Sequence, residues 1–375
     1  MKRLAYIEFA RGYAILSIVC FHVLQRVGLP PLLQQAIIFG GTGVHLFFLL
    51  SGFGLCLGKP VPAAVFFKKR FTKVWLPYVL VLTISLVFAV FFGTFPDRWP
   101  AWLAGVGLYQ MFFNDFIESF GGHFWFISAI FQFYLAFPAL LFLKKKLGDW
   151  PFFALCLAIS VGWWLAVFFL QKGGIRVWNS FFLQFLWEFA LGMVLAAEFG
   201  RQNPASETRP ETLSTAPASH LPASVFLEKK TRFSPSVHAA FQLPGIAFLP
   251  LGLVFSAIMV LMILKMGAVG RIFNDIPALI GYAGLSIFLF KFSKKWLPPV
   301  ERFFRWVGGF SYTLYLTHIL VLELFLMFLE KTGQPLGPFW PVVFLMMALL
   351  VGWLFEPVSQ AWVGVFDRKK NDLTY

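Results

Sequence analysis

The sequence predicts an all-α integral membrane protein with about ten transmembrane helices and both termini in the cytoplasm. Of its 375 residues, 59% are hydrophobic and 13% are charged, and the mean hydropathy is +0.76. A water-soluble domain of this length has too little interior to bury so much apolar surface. The apolar residues are gathered into ten stretches, and lysines and arginines are concentrated in every second connection between them.

Each apolar stretch is long enough, or nearly so, to cross about 30 Å of hydrocarbon as a helix. The ten stretches cover residues 5–25, 37–57, 75–93, 123–143, 151–170, 180–199, 244–264, 276–292, 307–328 and 340–362. Residues 94–122 are apolar only in patches, because Asp97, Arg98, Asp115 and Glu118 interrupt them. We interpret this segment as an interfacial loop or a re-entrant segment.

The distribution of basic residues predicts the orientation. With the N-terminus in the cytoplasm, 23 of the 31 lysines and arginines fall in cytoplasmic segments, seven fall outside, and Arg11 lies within the first span. Such an excess is typical of the cytoplasmic side of membrane proteins, and it also accounts for the net charge of +14. No basic stretch has the interleaved aromatic residues of a nucleic-acid module, so we expect no nucleic-acid partner.

Residues 200–243 form the one long polar stretch, rich in Pro, Ser, Thr and Ala and without a hydrophobic period. We expect a disordered cytoplasmic loop here. It interrupts what we interpret as a single transmembrane domain, residues 1–370, which a tail of residues 371–375 follows. The first apolar stretch lacks a small-residue cleavage site and is interpreted as a retained helix.

The three cysteines lie in apolar stretches and show no CxxC spacing. We expect them to pack as small hydrophobic residues rather than to form disulfides. No group of residues has the spacing of metal ligands, so we expect no metal site.

Arg11 and His22 lie in the first span, where charge is costly. A cation inside hydrocarbon normally faces a partner, a cavity or a substrate. At about 100° per residue, eleven steps bring the two side chains within about 20° of each other, and they lie about 16 Å apart along the axis. We interpret His22 as a general base on the face that carries Arg11. The alternatives are an Arg11 that snorkels or pairs with Glu8, and a His22 that hydrogen-bonds between helices.

Four further motifs follow this pair in order. They are residues 43–53 (GVHLFFLLSGF), 67–78 (FKKRFTKVWLPY), 123–138 (HFWFISAIFQFYLAFP) and 310–318 (FSYTLYLTH). Together with Arg11 and His22, which match an R-x10-H signature, they resemble the motifs of acyltransferase family 3. Members of this family are integral membrane acyltransferases that modify cell-surface glycans.

The resemblance implies transfer of an acyl group, expected to be acetyl, from cytoplasmic acyl-CoA to a hydroxyl of an extracytoplasmic glycan or lipid-linked sugar. His22 and Arg11 are then catalytic. Arg70, Lys73 and Lys69 are expected to bind the phosphates of acetyl-CoA or another acyl-CoA, and Arg11 to guide the donor inward. For these basic residues, the ordinary cytoplasmic excess of positive charge is the alternative.

Further candidates lie in the second, fourth and ninth spans. His45 is expected to orient His22 or the acceptor, or else to pack between helices. His123, Trp125 and Tyr134 are expected to bind the acceptor, although aromatic residues also form belts at membrane interfaces. We expect His318 to hydrogen-bond between helices.

The chain departs from the family pattern at several positions. His45 stands where Asp is common, and Ile130 and Phe131 stand where acidic residues are usual. Lys73 replaces an arginine, which keeps the charge but loses the bidentate fork. The missing carboxylates leave open what orients His22.

We therefore expect a multi-pass protein of the inner (plasma) membrane that contacts membrane lipids and is able to form oligomers. Two alternatives to an enzyme stay open. One is a polytopic transporter or acyl-group channel without covalent chemistry, which shares the polar interior but needs no general base. The other is a structural membrane protein, in which Arg11 serves only folding or insertion.

Overall fold

The structure is a computed structural model that describes residues 5–30, 33–34, 37–58, 61–93, 98–202, 243–333 and 337–368. The described residues form helices and turns without a β-strand. Most of the predicted polar loop, residues 203–242, and the tail, residues 371–375, lie outside them.

Ten helical stretches are long and apolar enough to cross a membrane, which confirms the all-helical membrane fold. They are α1 (Ala5–Leu24), α2 (Phe39–Cys56), α3 (Ala63–Phe92), α4 (Gly122–Leu147), α5 (Asp149–Phe169), α6 (Arg176–Phe199), α7 (Gly245–Phe273), α8 (Asp275–Trp296), α9 (Ser311–Thr332) and α10 (Trp340–Phe366). A helix pairs its backbone polar groups within itself, which hydrocarbon requires. α6 and α9 are the most buried of the ten, and α7 and α10 are the least buried.

Glycines bring several pairs of helices into close contact, and two of these pairs position α1 and α2. A Cβ atom at Gly12 of α1 would lie 1.8 Å from the carbonyl oxygen of Phe304, and one at Gly308 would lie 1.9 Å from that of Glu8. α1 thus packs tightly against a short helix, Pro298–Gly309. Glu8 also forms an ion pair with Arg305 of this helix at 3.1 Å.

α2 and α6 form the second close pair. A Cβ atom at Gly52 of α2 would lie 2.0 Å from the carbonyl oxygen of Phe189, and one at Gly192 of α6 would lie 2.0 Å from that of Leu49. Small residues let helices approach closely in membranes, where packing rather than the hydrophobic effect holds them together. The two glycine contacts therefore fix α1 and α2 against the rest of the bundle.

The third span begins earlier than predicted. Lys68, Lys69 and Arg70, which we expected in a loop, lie in the α-helical part Ala63–Arg70 of α3, and a π-helical segment, Phe71–Trp75, follows it and contains Lys73. Lysine and arginine lower the mean hydropathy of a stretch, yet both are good helix formers. Hydropathy alone therefore placed the start of this helix too late.

Residues 98–122 contain no membrane-length helix, in agreement with the prediction for this segment. They form three short helices, Arg98–Val106, Gln110–Phe112 and Asn114–Ile117. The predicted ninth span, 307–328, is divided at Phe310, where the helix Pro298–Gly309 ends and α9 begins.

Candidate functional site

A polar cavity of about 550 Å³ lies among the ends of α1, α2, α4, α6 and α8. Four of the predicted site residues line it: the histidines His22, His45 and His123, and the tryptophan Trp125. A second cavity of about 510 Å³ shares His22 and Arg176 with the first and extends toward α9. His22 therefore stands between two adjoining spaces.

The imidazole of His22 belongs to a cluster of three histidine rings. Its ring centroid lies 5.3 Å from that of His318 and 6.4 Å from that of His123, and the last two rings are 4.8 Å apart. The Tyr315 hydroxyl donates a hydrogen bond to the carbonyl oxygen of His123, which ties the start of α4 to α9. The sequence placed His318 in the middle of its span but did not predict that it approaches His22.

The geometry assigns the tautomer of His318. Its Nδ1 lies 2.7 Å from the carbonyl oxygen of Tyr315 and 3.2 Å from that of Leu314, so Nδ1 donates its proton within α9 rather than to another helix. Nε2 is then an acceptor. This atom is buried and has no hydrogen-bond partner among the described residues. The expected hydrogen bond between helices is thus replaced by one within α9.

Arg11 and His22 each lie near a residue of α4. His22 lies beside His123 of α4, while Arg11, which is exposed, lies close enough to act electrostatically on the hydroxyl of Tyr134, eleven residues further along α4. Eleven residues also separate Arg11 from His22. Arg11 and His22 therefore lie near two positions that are eleven residues apart on α4, but α1 itself packs mainly on the helix Pro298–Gly309, on α2 and on α9.

The predicted donor-binding residues fall into two groups. The guanidinium of Arg70 lies 5.7 Å from the ring centroids of both Phe66 and Tyr134, whereas Lys69 and Lys73 are exposed. Tyr134 is close enough to act electrostatically with both Arg70 and Arg11. The guanidinium of Arg70 therefore lies over the ring of Tyr134, and Arg11 lies within electrostatic range of the same residue.

This placement corrects the grouping of Tyr134 with His123 and Trp125. The last two line the 550 Å³ cavity, but Tyr134 does not. Trp125 is only 7% exposed, because Phe185 stacks on its ring at 5.7 Å and the guanidinium of Arg176 lies 5.2 Å from its centroid. The tryptophan therefore presents little open ring surface to the cavity.

His45 contacts two buried carboxylates that lie outside the sequence motifs described above. Its Nδ1 lies 2.6 Å from Oε1 of Glu188, and its Nε2 lies 4.0 Å from Oδ1 of Asp275. The amide of Gln184 donates to Oδ2 of Asp275 at 2.7 Å. Among the described residues, His45 forms no hydrogen bond with His22, so the structure does not place it as a direct orienting group for His22.

A signal for these residues was present in the sequence. Arg176, Ser180, Gln184 and Glu188 recur every four residues, a spacing typical of polar groups along one helix face. In the structure the backbone is extended at Phe181, so the four residues belong to more than one helical segment. Charged residues inside apolar spans normally line cavities or pair with one another. Asp275 similarly begins an apolar span, α8. Which histidine these side chains contact depends on packing between distant segments.

Electrostatic neighbours of His22 complete the site. Arg176 is one of them, and the side chain of Gln25, one turn beyond His22, is another. Arg176 also interacts electrostatically with Glu118 and Arg271, and all three line the larger cavity. In the part of the chain that the structure describes, no group of three or more His, Cys, Asp or Glu side chains is suited to hold a metal ion.

The fold and site define a multi-pass membrane protein with a polar, histidine-lined interior. The family model described as an acyltransferase domain, that of acyltransferase family 3, matches residues 4–356. The chain belongs to this family, and membership implies membrane acyltransferase activity. Neither the curated proteins nor the solved structures gave a significant match.

Proposed function

We propose that the protein transfers an acyl group, acetyl in the simplest case, from cytoplasmic acyl-CoA to a hydroxyl of an extracytoplasmic glycan or lipid-linked sugar. The observation that carries the proposal is the position of His22. It lines both polar cavities, while Arg11, eleven residues earlier on the same helix, interacts electrostatically with Tyr134, and the guanidinium of Arg70 lies 5.7 Å from the centroid of that ring.

The donor enters from the end of the bundle that holds Arg70. The excess of basic residues supports placing that end in the cytoplasm of an inner (plasma) membrane protein, where acyl-CoA is found. Arg70 and Arg11 bind phosphate oxygens through their guanidinium groups, and the exposed Lys69 and Lys73 add positive charge at the entrance. The extended pantetheine arm then runs along α1 toward His22.

The acceptor reaches His22 through the cavity that His123 and Trp125 line. The His22 imidazole removes the proton of the acceptor hydroxyl as its oxygen attacks the thioester carbonyl carbon. The new C–O bond forms, the C–S bond breaks, and the CoA thiolate takes up the proton from His22. Acyl ester and free CoA thiol leave, and the enzyme returns to its starting protonation state.

Proteoliposomes test this proposal. Purified protein is supplied with acetyl-CoA inside or outside the vesicles and a panel of glycosides, and the release of CoA thiol and the mass of the acylated glycoside are measured. We expect His22→Ala to lower transfer by about 10²–10⁴-fold, the range of general-base catalysis, while CoA binding is retained. Glycoside acylation that persists in His22→Ala would contradict the proposal, and movement of acetyl groups without ester formation would favour a transporter.

The donor site has a separate test. We expect Arg70→Ala to weaken the binding of CoA, measured as a Kd in detergent, more than it lowers the rate at saturating donor. Lys295→Ala, which removes an exposed cation elsewhere, is the control. Equal affinity for CoA in wild type and Arg70→Ala would remove Arg70 from the site.

A further inference from the structure

The buried set of His45, Glu188, Asp275 and Gln184, here called the 45–275 network, brings together α2, α6 and α8 at the wall of the larger cavity. His45, Asp275 and Gln184 line that cavity, and Glu188 lies behind His45. The contact of 2.6 Å between Nδ1 of His45 and Oε1 of Glu188 is a hydrogen bond, in which the two side chains share one proton. Nε2 is the nitrogen that lies on the side of Asp275.

A gap between two polar atoms is the first feature that points to a ligand. Nε2 of His45 and Oδ1 of Asp275 are 4.0 Å apart, which is too long for a direct hydrogen bond. A single oxygen atom at about 2.8 Å from each would close this gap with an angle of about 90°. A hydroxyl oxygen suits both partners, because it can donate to the carboxylate and accept from or donate to the imidazole.

Unpartnered acceptors are the second feature. Oε1 of Gln184, Oδ1 of Asn179 and Oε2 of Glu188 are buried and have no hydrogen-bond partner among the described residues. Gln184 and Asn179 line the same cavity as His45. Buried polar atoms without partners are costly and uncommon in native proteins. The amide oxygens of Gln184 and Asn179 accept hydrogen bonds, so a ligand that satisfies both has to bring more than one donor.

The charge of the cavity decides between two classes of donor. Ammonium groups and hydroxyl groups both donate hydrogen bonds. Two arginines, Arg176 and Arg271, and two acidic residues, Glu118 and Asp275, line the cavity, so its formal charges balance and a ligand without net charge is favoured. A neutral molecule with several hydroxyl groups, such as a pyranose ring, fits the acceptors without adding positive charge.

We propose that the 45–275 network is the acceptor subsite and that it binds a hydroxyl next to the one that is acylated. Holding this neighbouring hydroxyl between His45 and Asp275 fixes which hydroxyl of the sugar reaches His22. His45 and Asp275 are thus positioning residues that determine regiochemistry, while His22 removes the proton. The inference rests on the proposed function, since it assumes a polyhydroxylated acceptor.

Binding measurements test the subsite. The probes are methyl glucoside, methyl mannoside and methyl galactoside together with their monodeoxy analogues, and binding to protein in lipid nanodiscs is measured by saturation-transfer NMR titration. We expect Asp275→Asn to weaken binding of at least one parent glycoside by about ten- to a hundredfold, the range for loss of a hydrogen bond to a charged group. One monodeoxy analogue lacks the hydroxyl that would lie between His45 and Asp275, and it should bind the wild-type protein more weakly than the parent glycoside by a similar factor. Asp275→Asn should bind this analogue and the parent glycoside with equal affinity.

One further variant repeats the test at His45, and another serves as a control. His45→Asn retains a side-chain N–H near the position of Nδ1, so it preserves the contact with Glu188 and removes Nε2 from the gap. We expect it to show the same selective loss. Asp149→Asn is the matched control, because Asp149 pairs with Lys144 at 2.5 Å and does not line the cavity. An unchanged Kd for acetyl-CoA in all variants reports that the fold is intact.

Two results would overturn the inference. One is that no glycoside binds the wild-type protein in the millimolar range or tighter. The other is that Asp275→Asn and His45→Asn bind every glycoside as the wild type does. Glycosides that bind in the predicted pattern but are never acylated would refute the proposed function and leave the subsite standing. Acylation with unchanged acceptor KM in both variants would refute the subsite alone.

Discussion

The close contact between α2 and α6 predicts a large effect from one methyl group. In Gly52→Ala, the new Cβ would lie 2.0 Å from the carbonyl oxygen of Phe189, whereas ordinary contact begins at 3.4 Å. The two helices would have to separate by about 1.4 Å. That distance is enough to take the 2.6 Å contact between His45 and Glu188 out of hydrogen-bond range.

We expect Gly52→Ala to destabilise the protein by about 1–3 kcal/mol, the usual cost of overpacking. Thermal unfolding in detergent measures this change, and the acceptor KM reports on the displaced His45. Gly54→Ala is the matched control on the same helix, because a Cβ at Gly54 meets no atom within 4 Å. Equal unfolding midpoints for the two variants would refute the packing argument, and a normal acceptor KM in Gly52→Ala would refute its link to the site.

Three further predictions concern the histidine cluster and the charged groups. We expect His318→Ala to lower kcat for acyl transfer about tenfold or more while the KM for acetyl-CoA is unchanged, because the ring of His318 packs on His22 and lies away from Arg70. Steady-state kinetics with both substrates checks this prediction, and a change confined to KM would contradict it. We expect Lys69→Ala to weaken CoA binding less than Arg70→Ala, since Lys69 is exposed whereas the guanidinium of Arg70 lies over the ring of Tyr134. Titrations at low and high salt compare the two variants, and equal losses would show that only net charge matters. Glu323→Gln breaks an ion pair with Arg26 at 2.7 Å. We expect it to lower the free energy of unfolding by about 1 kcal/mol or less, because the Arg26 side chain is 54% exposed. A drop in the unfolding midpoint larger than this free energy implies would show that the pair supports the second cavity, which both residues line.

The fold was predictable from sequence because its signals are local. A membrane span is a continuous apolar stretch, and ten such stretches predict the ten helices. The shared face of Arg11 and His22 follows from helical geometry alone. The start of α3 was wrong because the cue was hydropathy, and Lys68 to Arg70 continue the helix despite their charge.

The parts of the site that were missed depend on packing between distant residues. Glu188 follows His45 by 143 residues, and no pattern within either span indicates which side chain it contacts. The same holds for His318, which approaches His22 only when α1 and α9 lie side by side. Tyr134 was assigned to the acceptor because it shares a motif with His123 and Trp125. Eleven helical residues, however, place it about 16 Å from His123 along α4, beside the basic end.

The departure of this chain from the family pattern at position 45 has a structural counterpart. A histidine stands where the family commonly has aspartate, and carboxylates come instead from α6 and α8 as Glu188 and Asp275. A buried carboxylate without a partner is costly, and so is a buried imidazolium. His45 and Glu188 therefore depend on each other, because each satisfies the polar group that the other buries. An aspartate at position 45 beside the same two carboxylates would gather three like charges, which explains why the histidine and its acidic partners belong together in this chain.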